Sequence, residues 1–270
     1  MSNIDKVFAG SIPKLYDEYL VPMIFADFAD DIARRVAALS PTSLLETAAG
    51  TGAVTRAVAA ALPRDVRYVA TDLNEPMLAV AAQRQGEDPR ISWRQADASA
   101  LPFDDATFDV VCCQFGAMFF PDRIKAYAEA KRVLRPEGTF VFNVWDRIED
   151  NLFADDATAA LAKMFPDDPP RFMARTPHGY HDKAVIKADL ERAGFGQISI
   201  ETRSAVSRAP TPEYVAIAYC QGTPLRSEIE ARDASSLQAA TDAVAEAIRK
   251  RHGSGPVEAK IQALVITARP

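Results

Sequence analysis

The chain contains few cysteines, and none of them has the spacing of a metal site. Its 270 residues include Cys112, Cys113 and Cys220, and neither a CxxC pair nor a cysteine–histidine ligand pattern occurs. Cys112 and Cys113 are neighbours in an apolar segment, where free cysteine is commonly a small buried residue. We therefore expect buried thiols, a reducing compartment and no metal site.

Long hydrophobic runs and an excess of basic charge are also missing. No apolar stretch approaches the ~20 residues that a membrane-spanning helix needs, and the opening MSNIDKVFAG lacks the apolar core of a signal peptide. Asp and Glu number 37 against 31 Lys and Arg, and the resulting net charge of −6 argues mildly against a nucleic-acid partner. We expect a cytoplasmic protein without a membrane span or a nucleic-acid partner, and a homodimer is left open.

Between residues 43 and 146, short apolar segments alternate with helical patterns. The predicted strands are Ser43–Thr47, Tyr68–Thr71, Ile91–Gln95, Phe108–Cys113 and Thr139–Val144. The predicted helices are Val54–Leu62, Glu75–Gln85 and Asp122–Leu134, and RPEG at 135–138 predicts a turn. Strands that alternate with helices pair in parallel through right-handed crossovers, so the fold class is a doubly wound α/β sheet.

Outside this region the alternation stops. A helix is predicted over Phe25–Leu39, and later helices over Asp155–Met164, Asp182–Ala193 and most of 211–251, with strands at Gln197–Ser204 and Ala263–Thr267. The expected organisation is an N-terminal helical segment, 1–40, a ligand-binding core, 41–146, and cap or substrate segments with the last strands, 147–270.

A turn of small residues follows the first strand, in LLETAAGTG from Leu44 to Gly52. Such a turn lets a backbone approach a ligand closely, although a tight connection without a ligand has the same composition. The dinucleotide fingerprint GxGxxG would need glycine where Thr55 stands, and no lysine follows Gly52 as in a phosphate loop. The pattern favours a nucleoside without a pyrophosphate.

Acidic residues stand at or just past the ends of three successive strands: Glu46, Asp72 and Asp97. Asp72 follows Gly52 by 20 positions and could accept hydrogen bonds from both ribose hydroxyls, or it could cap the next helix, for which Asn74 is better placed. Asp97 could accept from an exocyclic adenine amine, or it could be an ordinary loop aspartate.

The ordered set of these motifs resembles the class I S-adenosylmethionine-dependent methyltransferases, in particular the branch that includes ubiquinone and menaquinone C-methyltransferases. The matching stretches are LLETAAGTGAVTRAVA, YVATDLNEPMLAVA, QADASALPFDDATFDVVCCQFGAMFFPD and AKRVLRPEGTFVFNVWD. The resemblance implies a Rossmann-like, mostly parallel seven-stranded sheet with a helical cap insertion and an antiparallel last strand at Ala263–Thr267. It also implies S-adenosylmethionine as cofactor and methyl transfer to a small, partly hydrophobic molecule.

The resemblance further implies a role for individual residues. The turn from Glu46 to Gly52 would wrap the methionine portion, Asp72 would hold the ribose, and Asp97 would read the adenine edge with the N–H of Ala98. The remaining implied cofactor contacts are Ala48 and Gly50 beside the methionine, Leu73 and Met77 flanking the adenine, Gln114 beside the sulfonium and Tyr16 as a cover. The family usually has glycine where Ala48 stands, and a methyl group is tolerated there if φ is negative.

Catalytic residues are less clearly marked than cofactor residues. His178, Tyr180 and His181 in PHGYHD are the candidates for a general base, and the alternative for the two histidines is that they are solvated loop and cap residues. His252, after the basic run RKR, is expected on the surface. The methylated atom, carbon, oxygen or nitrogen, is not specified. The alternative function is a non-catalytic nucleoside-binding regulatory or scaffold protein, and a third, an NAD-dependent dehydrogenase, is disfavoured by Thr55.

Overall fold

The computed structural model describes residues 10–270, and residues 1–9 of the predicted N-terminal segment lie outside this range. The chain divides into two compact units. The sheet unit consists of Ala26–Val144, His181–Arg203 and Ala263–Pro270, and the helical unit consists of Met1–Phe25, Trp145–Tyr180 and Ser204–Gln262. Within residues 10–270 no helix combines the length and the apolar character that crossing a membrane requires.

The strands confirm the predicted positions, with differences in length. They are β1 (Ser43–Glu46), β2 (Arg67–Asp72), β3 (Ile91–Gln95), β4 (Phe108–Gln114), β5 (Leu134–Trp145), β6 (Gln197–Ala209) and β7 (Val257–Arg269). They form one sheet in the order β3-β2-β1-β4-β5-β7-β6. The pairs β1–β2, β1–β4, β2–β3 and β4–β5 are parallel, as the alternation predicted.

The predicted turn at RPEG is instead part of β5. Leu134 pairs with Phe108, and the next regular pair joins Thr139 to Val110, so the register shifts across residues 135–138. The proline and glycine therefore interrupt the ladder as an irregularity within the strand rather than before it.

The last strand, β7, is antiparallel to both of its neighbours. Gly196, just before β6, donates to the carbonyl of Arg269 at the end of β7, whereas Arg208 near the end of β6 pairs with Glu258 near the start of β7. Toward β5, the side chain of Arg269 donates to Thr139, and the N–H of Asp146 donates to Gln262. The antiparallel last strand is confirmed.

Helices cover the sheet within the sheet unit. They are α2 (Ala26–Ala38), α3 (Ala53–Ala61), α4 (Glu75–Gln85), α5 (Arg123–Val133) and α8 (Lys183–Arg192). On one face, Ile32 and Val36 of α2 and Val58 of α3 are fully buried against strand residues such as Leu44. Another core group is aromatic, with Tyr127 of α5 beside Phe140 and Phe142 of β5. All three cysteines are buried and free, as expected.

The helical unit contains most of the remaining helices. They are α1 (Ile12–Leu15), a π-helix (Tyr16–Phe25), α6 (Leu152–Met164), α7 (Phe172–Arg175), α9 (Pro212–Gln221), α10 (Leu225–Arg232) and α11 (Leu237–His252). Its core is built from apolar faces at helical spacing, such as Phe153 and Leu161 of α6 and Val244 and Ile248 of α11, which are all fully buried. The helices predicted over most of 211–251 are confirmed.

Candidate functional site

The parallel strands bring the predicted ligand residues to one edge of the sheet. β1, β2, β3 and β4 are adjacent and parallel, so their carboxyl ends lie side by side. Ligands in doubly wound folds bind outside these ends, where the strand order changes direction. Glu46, Asp72 and Gln114 end their strands, and Asp97 follows β3 by two residues.

Three residues of the turn after β1 have a left-handed backbone conformation. Ala48, Gly50 and Gly52 have φ of +53°, +56° and +80°, and α3 begins directly after Gly52. Glycine adopts this region without strain, and it leaves the backbone open to close approach. A Cβ on Gly52 would lie 3.0 Å from the Cβ of Ala81, so this glycine also allows α3 and α4 to pack closely.

The condition under which a methyl group at position 48 would be tolerated, a negative φ, is not met by Ala48. At +53° the alanine carries a left-handed strain of roughly 1–2 kcal/mol, which a glycine would avoid. Space for its methyl group comes from Gly116, where any Cβ would overlap Ala48 and would lie 2.7 Å from Sγ of Cys113. The family usually has glycine at position 48. In this chain alanine stands there, and the glycine at 116 leaves the space for its methyl group.

Asp72 connects the turn to the end of β2. Its Oδ2 accepts from the N–H of Gly50 at 2.9 Å, and its Oδ1 accepts from the N–H of Asn74 at 2.8 Å. Burial raises the pKa of this carboxyl, and the backbone hydrogen bonds oppose the rise. Asn74 occupies the N-cap position of α4, as expected, but its side chain makes no capping hydrogen bond and instead donates to Asp72 at 3.3 Å. The bond to Gly50 is one that sequence reasoning did not find.

Glu46 lies beneath the turn and joins three elements. It is 1% exposed, and its Oε2 accepts from Oγ1 of Thr55 in α3 at 2.6 Å and from Oη of Tyr68 in β2 at 2.5 Å. Burial raises the pKa of Glu46 to about 7, against the two hydrogen bonds that favour its charged form. Sequence reasoning missed both partners, although the polar Thr55 at the fingerprint position was a signal for one.

Two apolar residues follow Asp72 in the predicted adenine region. Leu73 is 48% exposed, which is unusual for a leucine at a strand end, whereas Met77 in α4 is buried. The terminal carbon of Met77 lies 3.6 Å from where a Cβ on Gly50 would be, so it packs beneath the turn. The edge therefore presents an apolar surface directly beside a carboxylate.

The remaining predicted cofactor residues of the sheet unit lie past β3 and at the end of β4. Asp97 is exposed, and its Oδ1 accepts from the N–H and the hydroxyl of Ser99 at 2.8 and 2.7 Å, with Ala98 between them. Gln114 is half-buried, and its Oε1 accepts from Asn143 at 3.5 Å. The fully buried Asn143 also accepts from the N–H of Phe115 and so fixes the backbone after β4.

Tyr16 and part of PHGYHD belong to the helical unit. The Tyr16 ring stacks on Phe25 with centroids 5.0 Å apart, and its covering role stays a prediction. His178 and Tyr180 are both 3% exposed, and Nδ1 of His178 lies 2.8 Å from the carbonyl oxygen of Asp146, so the solvated-loop alternative is wrong for His178. His181, in the sheet unit, is exposed.

The surface position expected for His252 is also wrong. Its side chain is 9% exposed, packs edge-on against Phe153 at 5.0 Å and has Nε2 2.7 Å from Oδ2 of Asp156. The basic run before it marks the exposed side of α11, whereas His252 faces α6 within the helical unit.

Comparisons with known proteins agree with this geometry. Residues 45–142 match the model of a methyltransferase domain. The chain is 30% identical over 174 residues to the demethylmenaquinone methyltransferase of Clavibacter sepedonicus, covering 61% of this chain and 70% of that protein. The chain belongs to the class I S-adenosylmethionine-dependent methyltransferases.

Other similarities of the methyltransferase extend beyond its core. It is 25% identical over 206 residues to the ubiquinone/menaquinone biosynthesis C-methyltransferase UbiE of Teredinibacter turnerae, covering 72% of this chain and 78% of that protein. Haemonchus contortus phosphoethanolamine N-methyltransferase 2, solved with S-adenosylhomocysteine, has the same fold, with a TM-score of 0.63 at 17% identity over 99% of this chain and 60% of that one. The enzyme uses S-adenosylmethionine to methylate a small molecule, and nothing in these similarities favours the non-catalytic alternative.

Proposed function

We propose that this methyltransferase holds S-adenosylmethionine at the carboxyl edge of β1 to β4 and methylates a small, partly hydrophobic acceptor. The observation that carries the proposal is the pair of bonds that Asp72 makes to Gly50 and Asn74. Each carboxylate oxygen has a second lone pair, so Asp72 can keep these bonds and still accept from ribose hydroxyls. The residue that would bind the ribose is thus the one that orders the turn.

The donor set of this edge fits a nucleoside that carries an amino-acid arm. Left-handed backbone at Gly50 and Gly52 leaves room for the arm, and exposed Leu73 offers an apolar surface for a base beside Asp72. We assign Leu73 and Met77 to the two faces of the adenine. We assign Asp97 and the N–H of Ala98 to the polar edge of the adenine. The turn residues Glu46, Ala48, Gly50 and Gly52 go to the methionine portion and Gln114 to the sulfonium end.

Positioning is the main contribution that the chain's own residues can make to the reaction. When bound, S-adenosylmethionine supplies a methyl group on a sulfonium whose leaving group is a neutral thioether. The protein must therefore align the acceptor and exclude competing geometries, which can supply a large share of the rate. A base is needed only for an acceptor that arrives protonated, and His181, Tyr180 and His178 are the proposed candidates.

The acceptor class is proposed from the relatives and from composition. The two relatives are named for demethylmenaquinone and for ubiquinone and menaquinone biosynthesis, so hydrophobic ring compounds of that kind are the first acceptors to test. In this proposal, residues 147–181 and 207–255 bind the acceptor and residues 1–40 cover the cofactor. A cytoplasmic location, the absence of a nucleic-acid partner and a homodimer stay predictions.

Ligand-dependent melting tests the cofactor assignment. S-adenosylhomocysteine should stabilise the enzyme by about 2.7 kcal/mol at a hundred times its dissociation constant, and NADH should not stabilise it. Equal stabilisation by NADH would contradict the assignment. Turnover of labelled S-adenosylmethionine with demethylmenaquinone analogues, measured beside small amines, then separates acceptor classes.

A further inference from the structure

The loop between β3 and β4 is held to the end of α5 by backbone bonds from Ala106 and Thr107 and, nearer to β3, by the guanidinium of Arg132. Nη2 of Arg132 donates to the carbonyl of Leu101 at 2.9 Å, and Nη1 donates to the carbonyl of Phe103 at 2.8 Å and to Asp105 at 2.7 Å. The remaining two N–H groups donate to Glu129 at 2.7 and 2.8 Å. All five donors of the guanidinium are therefore used, and three of them hold the loop.

Glu129 completes this clamp from the same helix. Its Oε2 accepts from the N–H of Leu101 at 2.8 Å while it also accepts from Arg132. Both backbone groups of Leu101 are thus bonded to α5, and its side chain is 5% exposed. An arrangement in which a carboxylate orients a fully used guanidinium is rigid, because the planar fork has one geometry that satisfies every donor.

The clamp begins where the proposed adenine segment ends. Asp97 is bonded to Ser99, and its carbonyl accepts from the N–H of Ala100 at 3.0 Å, so residues 97–100 form one compact turn. The next residue, Leu101, is the one bonded on both sides by the clamp. The turn is therefore held at both ends: Ala96 donates to the carbonyl of Asp72 in β2 at 3.0 Å, and Leu101 is bonded to α5.

We propose that Arg132 and Glu129 are positioning residues for the adenine side of the cofactor, acting through loop 97–105. The inference rests on the proposed roles of Asp97 and Ala98. If the clamp were loosened, Asp97 and the N–H of Ala98 would still be present, but they would no longer be held in a fixed position relative to the adenine. Affinity for the adenine moiety should then fall without the loss of any direct ligand contact.

Arg90 provides a matched control within the same unit. Its guanidinium also uses all three nitrogens, donating to Asp88 and to the carbonyls of Ala59, Leu62 and Pro63. It holds the end of α3 near the amino-terminal ends of the strands, directly before β3 begins. Arg132→Lys and Arg90→Lys both keep the charge and lose the fork, so both should lower the melting temperature.

Calorimetric titration with S-adenosylhomocysteine and with its inosine analogue separates positioning from stability. For Arg132→Lys, affinity for S-adenosylhomocysteine should fall about tenfold, the size of one hydrogen bond, and its preference over the inosine analogue should shrink similarly. Arg90→Lys should keep both values within about twofold, since its partners are not shared with the cofactor edge. Glu129→Gln provides a second variant if Arg132→Lys does not fold, and the same loss of preference is expected.

Four outcomes would overturn the inference, and they lead to three distinguishable conclusions. Equal affinity changes in Arg132→Lys and Arg90→Lys, or unchanged preference in folded Arg132→Lys and Glu129→Gln, would leave the clamp a purely structural feature. An Asp97→Asn variant with wild-type preference would refute the adenine role of the loop and the inference with it. Failure of the wild-type enzyme to bind S-adenosylhomocysteine would refute the cofactor site itself.

Discussion

Ala48 and Gly116 share one space at the carboxyl edge of the sheet, and only one of the two residues can carry a side chain. The Ala48 methyl group occupies the position that a Cβ on Gly116 would need, and Cys113 closes the other side. Because Ala48 also has a left-handed backbone, the edge accepts strain at one residue and requires glycine at the other. The two positions are therefore coupled.

A double-mutant cycle measures that coupling. Gly116→Ala should destabilise the enzyme by roughly 1–3 kcal/mol through overpacking. Ala48→Gly alone should change the free energy of unfolding by less than about 1 kcal/mol, since relieved strain and greater unfolded-state entropy oppose each other. The double variant should recover part of the loss, and Cys113 limits the recovery. Gly255→Ala, where a Cβ would meet nothing within 4 Å, is the control, and additive effects would disprove the coupling.

The ribose role of Asp72 predicts that Asp72→Asn lowers affinity for S-adenosylhomocysteine roughly tenfold to a hundredfold. The substitution should also cost about 1–3 kcal/mol of stability, because both carboxylate oxygens accept backbone N–H groups and an amide turns a donor toward one of them. Titration calorimetry beside denaturant unfolding measures both effects. Asp182→Asn, which alters a carboxylate that caps α8, should leave affinity unchanged. Wild-type affinity in folded Asp72→Asn would refute the ribose role.

The raised pKa of Glu46 predicts that the free energy of unfolding falls as pH rises. Its pKa of about 7 in the folded state lies above its ordinary value of 4.5, so the folded protein binds this proton more tightly than the unfolded chain does. Its stabilising contribution is present below about pH 4.5 and is lost by pH 8, on the order of 3 kcal/mol. Unfolding of the wild type relative to Glu46→Gln should show this loss.

Two further variants check the cause of that pH dependence. Tyr68→Phe removes a hydrogen bond that lowers the pKa of Glu46, so the loss of stability should move to higher pH. Glu137→Gln alters an exposed glutamate and should preserve the wild-type profile. A Glu46→Gln profile parallel to that of the wild type would show that Glu46 does not titrate in this range.

The buried thiols should be unreactive in the folded enzyme. Burial raises the pKa of Cys113 and of Cys220 to about 12, and it raises the pKa of Cys112 as well. Because the thiolate is the reactive species, none of the three should react quickly with a disulfide reagent at pH 8. All three should react after denaturation, and rapid labelling of a native thiol would contradict its burial.

The acceptor hypothesis makes a separate prediction for PHGYHD. His181→Ala should impair turnover while affinity for S-adenosylhomocysteine stays within about threefold, since sites without shared partners act nearly independently. Tyr180 is buried, so Tyr180→Phe is the informative change there, and it removes only the hydroxyl. A large loss of cofactor affinity in His181→Ala would assign this segment to the cofactor instead.

Sequence patterns predicted the sheet well because its first five strands alternate with helices along the chain, except between β3 and β4. β3 and α4 were predicted to the residue, and β1, β2 and β4 to within one residue at each end. The start of β5 was missed because a proline–glycine pair also suits a register shift, and only the partner strand distinguishes the two.

Features that depend on distant partners were not predictable from the sequence. Tyr68 is 22 positions from Glu46, and Arg132 follows Leu101 by 31, so no local pattern connects them. Glu129 and Arg132 have the spacing of an ordinary surface pair on a helix, although they also bond a distant loop. The space for the Ala48 methyl group depends in the same way on a distant residue, Gly116, which follows β4.

The place of β7 in the sheet has a consequence for how the protein is made. β7 lies between β5 and β6, which both precede it in the chain, so neither can complete its hydrogen bonding until β7 leaves the ribosome. At about 5–20 residues per second, synthesis of α9 to α11 keeps these two strand edges unpaired for several seconds. Unpaired edges recruit other strands, and nascent chains are therefore most exposed to aggregation, and most in need of chaperones, during this interval.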